Sequence, residues 1–185
     1  MRDSQGTEDP RTGGRQLRRI VYTAAQIAGR VRELGLELTM AYSHDEPLLL
    51  IGLLKGSFVF LADLARAIER PLYVDFMVAS SYGAGTASSG DVRLLYDPEV
   101  SLHDRHVVLV EDIVDSGVTL NRLIPLLEAR GPRSLELCTL LHKRIANDLV
   151  REPRWVGFDA PPEFLVGYGL DQAESFRNLP FIASL

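Results

Sequence analysis

Cysteine and tryptophan are nearly absent, at one each in 185 residues. A lone Cys excludes an intramolecular disulfide framework and a Cys-rich zinc site, and it fits a reducing compartment. Long apolar runs are missing too. The longest, broken by one Gly, is Leu48–Leu54 (LLLIGLL), far short of the roughly 20 residues a membrane-spanning helix needs. Positive charge is in deficit, with 20 Lys plus Arg against 25 Asp plus Glu and a net charge of −5. Such a balance offers no general attraction to nucleic acid, although a local basic patch stays possible. What remains is ordinary. At 46% hydrophobic and 24% charged, the composition argues against disorder, collagen and coiled coil. The length suits a single domain that buries roughly 70% of its extended-chain surface.

Residues 1–19 (MRDSQGTEDPRTGGRQLRR) carry five Arg and three acids, a net +2 that leaves −7 on the body. They contain no hydrophobic run for a secretory signal, and their acids argue against a transit peptide. The stretch therefore reads as a disordered N-terminal tail ahead of one domain over 20–185. A bacterial-type cytoplasmic protein is expected.

Apolar bursts then alternate with amphipathic stretches. Thr23 and Gln26 have capping-box spacing, with Tyr22 and Ile27 as candidate staple. Ile27, Val31, Leu34 and Leu38 recur at helical spacing, so 24–42 reads as a helix with one buried stripe. Leu48–Leu54 reads as a strand covered on both faces. Phe58–Glu69 returns to helix and is stopped by Arg70-Pro71. Leu72–Ala79, Asp91–Tyr96 and Arg105–Val110 read as strands. Leu120–Arg130 reads as a helix that Pro125 should kink or break early. Ser134–Leu141, Trp155–Phe158 and Phe164–Tyr168 complete the strands. The alternation implies an α/β domain with a mainly parallel sheet. In such sheets, ligands collect beyond the carboxyl ends of the strands.

The segment Val110-Glu-Asp-Ile-Val-Asp-Ser-Gly-Val-Thr119 follows a buried strand and opens a helix. Ser116, Gly117, Val118 and Thr119 offer successive backbone N–H groups and two hydroxyls at a helix N-terminus, a site for a phosphate monoester. Carboxylates repel phosphate, so Glu111, Asp112 and Asp115 need other partners: sugar hydroxyls, or a bridging Mg²⁺. An anion cradle beside a ribose clamp describes a ribose 5-phosphate pocket. The bland alternative is an acidic turn with Ser116 capping the helix.

This segment resembles the phosphoribosyl pyrophosphate signature of type I phosphoribosyltransferases. More narrowly, residues 20–185 resemble the hypoxanthine(-guanine) phosphoribosyltransferases in their shorter bacterial form, with four motifs in the family's order. The resemblance implies a mainly parallel twisted sheet flanked by helices with a small hood subdomain. It also implies purine salvage, in which the 5-phosphoribosyl group passes from phosphoribosyl pyrophosphate to hypoxanthine or guanine. Leu53-Leu-Lys-Gly-Ser57 is similar to the family's diphosphate loop, with Leu54, Lys55 and Gly56 as ligands and a frequent cis peptide falling at Leu54–Lys55. The uncharged, Gly-rich stretch Ser80–Gly90 stands where the family has a mobile lid, with Ser81 and Tyr82 over the diphosphate. A lid would keep water from an oxocarbenium-like cation. Leu141-His-Lys-Arg144 resembles the purine-reading loop, in which Lys143 donates to the 6-oxygen. Phe164-Leu-Val-Gly-Tyr-Gly-Leu-Asp171, followed by Phe176-Arg177, resembles the closing segment. There Phe164 stacks on the base, the Leu165 backbone bonds its edge and Arg177 grips the diphosphate. The implied metal is Mg²⁺, on Glu111, Asp112 and Asp171. The implied catalytic residue is Asp115, which takes or shares the purine N7 proton, while Glu111 and Asp112 hold the ribose hydroxyls. The implied assembly is a homodimer or homotetramer, with small-molecule substrates and neither nucleic acid nor membrane as partner. Some members carry Lys where Val118 stands, so that side chain adds nothing to phosphate binding here.

His44, His103, His106 and His142 share no metal-like spacing and read as structural or surface residues. Cys138, inside an apolar strand, reads as buried and inert. Trp155 reads as packing. Three other readings stay open: a transferase for xanthine or a pyrimidine base, a regulator that keeps the fold but binds RNA or DNA, and a non-catalytic α/β domain with an acidic turn.

Overall fold

The computed structural model describes residues 9–81, 92–144 and 148–185. Six strands form the main sheet: β2 (Leu48–Leu54), β3 (Tyr73–Ser81), β4 (Val92–Tyr96), β5 (His106–Val114), β6 (Ser134–His142) and β7 (Trp155–Asp159). Their spatial order is β4-β3-β2-β5-β6-β7. Every neighbouring pair is parallel except β3 with the edge strand β4. The carboxyl ends of β2, β5 and β6 therefore share one edge, and the motif loops leave from it.

Alternation along β2 divides the core. Leu48 and Leu50 face α1 (Ala24–Ala41) and α2 (Phe58–Ala67), packing with Ile27, Val31, Leu34, Leu38, Phe60 and Leu64. Leu49 and Ile51 face α3 (Val118–Glu128), packing with Leu120, Leu123, Ile124 and Leu127. A buried strand with no polar face results, and each such side chain contributes about 1.5–3 kcal/mol relative to exposure. Trp155 and Cys138 both lie in the first cluster. Burial raises the Cys138 thiol pKa, in keeping with an inert residue.

The expected capping box forms. Thr23 Oγ1 accepts from the Gln26 N–H at 3.3 Å, and the Gln26 side chain accepts from the Thr23 N–H at 2.9 Å. Tyr22 stacks on Phe158, with centroids 4.2 Å apart. α2 ends two residues early because Ile68 turns extended and buries its side chain. α3 begins at Val118 and runs past Pro125 to Glu128, so no break falls at Pro125 itself and the helix ends two residues short of the expected Arg130. The Ala129 N–H still reaches Pro125 O at 3.0 Å. Packing by the four buried apolar side chains of α3 offsets the missing N–H, which costs about 3 kcal/mol in a helix interior.

A second, antiparallel sheet joins the two ends of the chain: β1 (Arg19–Tyr22), β9 (Ile182–Ser184) and β8 (Leu165–Val166), in the order β1-β9-β8. It makes the expected small subdomain. The sequence reading had strand only at Phe164–Tyr168, of which two residues pair. The tail also needs correcting between Asp9 and Arg19. Pro10–Thr12 forms a 3-10 turn capped by Asp9, the Arg18 N–H reaches Ser184 O at 2.9 Å, and the Arg15 guanidinium lies 3.9 Å from the centre of the Phe176 ring. Thr12 is buried, and Leu17 packs against the apolar cluster that includes Phe176 and Leu179. Apolar contacts that no local periodicity signals hold this stretch.

Candidate active site

β5 runs four residues past its β-branched stretch, so Glu111 and Asp112 sit on the strand and not in the loop after it. Ladder pairing with β6 carries it that far, through Glu111 with Thr139 and Val114 with His142. The chain then turns at Gly117, whose φ of +77° suits only residues without a Cβ penalty, and enters α3. Gly117 is the N-cap and no side chain caps the helix, so Ser116 is not the capping residue of the bland reading. The first N–H groups of α3 lack intrahelical partners. They open on a cavity of about 110 Å³ lined by Glu111, Asp115, Ser116, Gly117, Val118 and Thr119. Free N–H groups and the positive helix terminus suit a phosphate.

Glu111 is buried, and its carboxyl pKa is raised well above the usual range, first by burial and then by the neighbouring Asp112. Burial pushes Asp112 up to about 6, against the pull of backbone N–H groups and Arg177. Among the described residues neither acid makes an ion pair. Asp115 differs: its Oδ2 accepts from Lys143 Nζ at 2.7 Å. The strand geometry explains the meeting, because the Lys143 N–H donates to Val114 O at 3.0 Å and extends the β5–β6 ladder by one step.

The loop after β2 closes on the same edge. The Leu54–Lys55 peptide is cis, as the resemblance implied. Gly56 lies against Asp112, where a Cβ would stand 1.7 Å from Oδ2. Gly169 lies against Gly56 from the other side, where a Cβ would stand 2.1 Å from Gly56 O. Two backbones and the Asp112 carboxylate thus meet where only glycine fits. Lys55 Nζ pairs with Glu174 at 3.1 Å, both side chains being mostly exposed. Arg177 pairs with Asp171 at 2.9 Å and with Glu174 at 3.4 Å, and its Nη1 donates to Gly169 O at 2.7 Å. Its Nε is buried without a partner among the described residues, a donor that fits an anionic oxygen.

Phe164 is 56% exposed, a free ring face, and its carbonyl accepts from the Leu185 N–H. Leu165 is buried on β8. Ser81 ends β3, and Tyr82 lies outside the described residues. Glu111, Asp112 and Asp171 do not gather into a single cage, since no three His, Cys, Asp or Glu side chains among the described residues are placed to hold a metal together. His142 is buried with both ring nitrogens unpartnered, and burial lowers its pKa. The sequence reading missed Glu174, which faces two cations, and Tyr168, whose hydroxyl donates to Asp63 Oδ2 at 2.6 Å. Their only sequence signal was their position inside the closing motif.

The same architecture occurs in known proteins. The family profile of the phosphoribosyl transferase domain matches residues 20–173. A hypoxanthine phosphoribosyltransferase of Buchnera aphidicola is 44% identical over 168 residues, which cover 90% of this chain and 95% of the relative. A hypoxanthine-guanine phosphoribosyltransferase of Mycobacterium tuberculosis is 47% identical over 174 residues, covering 91% and 86%. Among solved structures, a hypoxanthine phosphoribosyltransferase from Staphylococcus aureus superposes with a TM-score of 0.88 at 39% identity, covering 97% of this chain and 96% of that one. With its sheet order, its uncapped helix after an acidic strand end and these likenesses, the chain belongs to the phosphoribosyltransferase family.

Proposed function

We propose that the chain is a purine-salvage enzyme that moves the 5-phosphoribosyl group from phosphoribosyl pyrophosphate to hypoxanthine or guanine, giving IMP or GMP and diphosphate. One observation carries this reading: the uncapped N-terminus of α3 opens on a cavity shared with Glu111 and Asp115. A phosphate on the helix N–H groups places its ribose beside the carboxylates. Glu111 and Asp112 accept from the ribose hydroxyls, and in their ionised form they stabilise positive charge developing at the anomeric carbon. The purine N9 lone pair forms the new bond as the bond to diphosphate breaks, and the N7 proton passes to Asp115. Lys143, within reach of Asp115, donates to the purine 6-oxygen. A donor there mismatches the amino group of adenine, and buried mismatches of this kind discriminate by about 10⁴–10⁵. The exposed Phe164 ring covers the base, and the Leu165 backbone bonds its edge.

Lys55, the Gly56 amide and Arg177 receive the diphosphate, which replaces Glu174 between the two cations. Carboxylate oxygens suit Mg²⁺, which keeps several waters and binds through one or two acids plus substrate phosphates and needs no protein cage. Asp171 and the acid pair of β5 are the residues that would hold it, and when bound it neutralises charge on the departing diphosphate. Ser81 and Tyr82 belong to the segment assigned as the lid. The enzyme is proposed to work in the cytoplasm as a homodimer or homotetramer. Half-exposed Leu36 and largely exposed Met40 on α1 offer apolar surface for subunit packing, and no helix among the described residues is long and apolar enough to cross a membrane.

The test is the initial rate of diphosphate release with each purine and pyrimidine base at saturating donor and Mg²⁺. Hypoxanthine or guanine should lead. A preference for xanthine, uracil or orotate would replace the substrate assignment, and no release with any base would end the enzymatic one.

A further inference from the structure

We infer that Tyr168 and Asp63 are positioning residues that hold the diphosphate loop and the Asp171–Arg177 segment in register. The inference rests on the assignment of Lys55, Gly56 and Arg177 to the diphosphate. α2 continues directly from the 55–57 loop, with Ser57 as its N-cap, so the helix fixes where the loop ends. Asp63 stands on α2 and accepts from the Tyr168 hydroxyl at 2.6 Å. The Tyr168 ring is 6% exposed and packs in the α1–α2 core cluster. Burial and then Asp63 raise its phenol pKa, so it remains a donor.

Tyr168 sits at the centre of an unusual turn. Gly167, Tyr168 and Gly169 have φ of +99°, +52° and +102°, three successive residues in a region that an L side chain rarely adopts. Such a turn persists only where its surroundings hold it. The Tyr168 N–H donates to Leu179 O, and the Gly169 N–H donates to Arg177 O, both at 2.9 Å. Gly169 O in turn accepts from Arg177 Nη1. The turn therefore carries the Arg177 guanidinium on one side and abuts Gly56 on the other. The Gly56–Gly169 approach is a bare backbone contact with no directional bond of its own. The Lys55–Glu174 pair is exposed, and it is given up when diphosphate arrives. The half-buried Tyr168–Asp63 bond survives that exchange. It fixes the distance between the two groups that must grip the same diphosphate, and the purine contacts lie elsewhere.

The experiment measures KM for phosphoribosyl pyrophosphate and for hypoxanthine, with Tm, in four variants. Tyr168→Phe removes only the hydroxyl. Its KM for the donor should rise by about 5–10-fold while KM for hypoxanthine stays within about twofold, the signature of lost positioning at one substrate. Asp63→Leu, which also removes the Asp63–Arg66 ion pair, should raise it at least as far, and the double variant should be no worse than Asp63→Leu alone, because the Tyr168–Asp63 bond is lost in both. Asp63→Asn keeps an acceptor oxygen and should restore the donor KM to within about twofold of wild type. A donor KM unchanged in Tyr168→Phe overturns the inference, as does an equal rise in both KM values with a fall in Tm. Lys55→Ala is the control for the underlying assignment: if it leaves the donor KM unchanged, the diphosphate loop is misassigned and that reading fails first.

Discussion

Along β5, Glu111 is buried and Asp112 half-buried, both without an ion pair among the described residues, and their pKa values are pushed up. In the closing segment, Asp171 and Glu174 each lie within 3.4 Å of a guanidinium or ammonium. The strand acids therefore carry an electrostatic cost that a hydroxyl-rich, partly cationic sugar relieves. The closing-segment acids are already satisfied, so the proposed anion binding there would be an exchange of partners. One region is electrostatically unsatisfied and held in the sheet ladder. The other is satisfied and built of left-handed turns at Tyr168, Ala173, Glu174 and Phe176. On the proposed assignment, differential stabilisation of the transition state would fall to the strand acids and their neighbour Asp115, and capture and release of diphosphate to the closing segment.

This contrast makes unequal demands on substitutions. Asp115→Asn should lower kcat by about 100-fold, the usual size of lost general acid–base help, in single-turnover assays; a change of only a few-fold would remove Asp115 from that role. Lys143→Met should lower kcat/KM for hypoxanthine by about 30-fold and narrow the gap to adenine if Lys143 is the donor to the 6-oxygen. An unaltered base preference would place purine reading elsewhere. The smallest effect concerns stability. The folded pKa of Asp112, about 6, exceeds its usual value of 3.8. Folded protein then holds more protons than unfolded protein between those values, so this contribution is full below the ordinary carboxylate range and is lost as pH rises through about 6. Asp112→Asn should therefore raise Tm by about 5 °C near pH 7.5, with the gain fading toward pH 4, while transfer activity falls. A gain equal at both pH values would show that ionisation is not its source.

Much of this was legible in advance. Leu48–Leu54 forms a strand at the expected bounds because a run of seven residues, apolar but for one Gly, is too short for a membrane span and suits a strand covered on both faces. The helix over 24–42 declared itself through a capping box and a four-residue stripe. Where the reading failed, the deciding contacts were distant in sequence. β1 and β9 are four and three residues long and exist because the two chain ends pair. The Arg15–Phe176 contact spans nearly the whole chain, so residues 9–19 looked like loose tail. The expected break at Pro125 weighed a local rule against packing that only the folded sheet supplies.

The same division runs through the site. Residue identity alone specified the chemistry on offer: three acids beside an amide-rich turn, a Lys after a strand, and glycines where backbones must approach, because those properties travel with side chains. Which acids lie buried and unpaired, which cations already have partners, and that Gly56 is wedged between Asp112 and Gly169 were decided by the fold. Burial and distance set electrostatic strength, and both are properties of segments brought together from opposite ends of the chain.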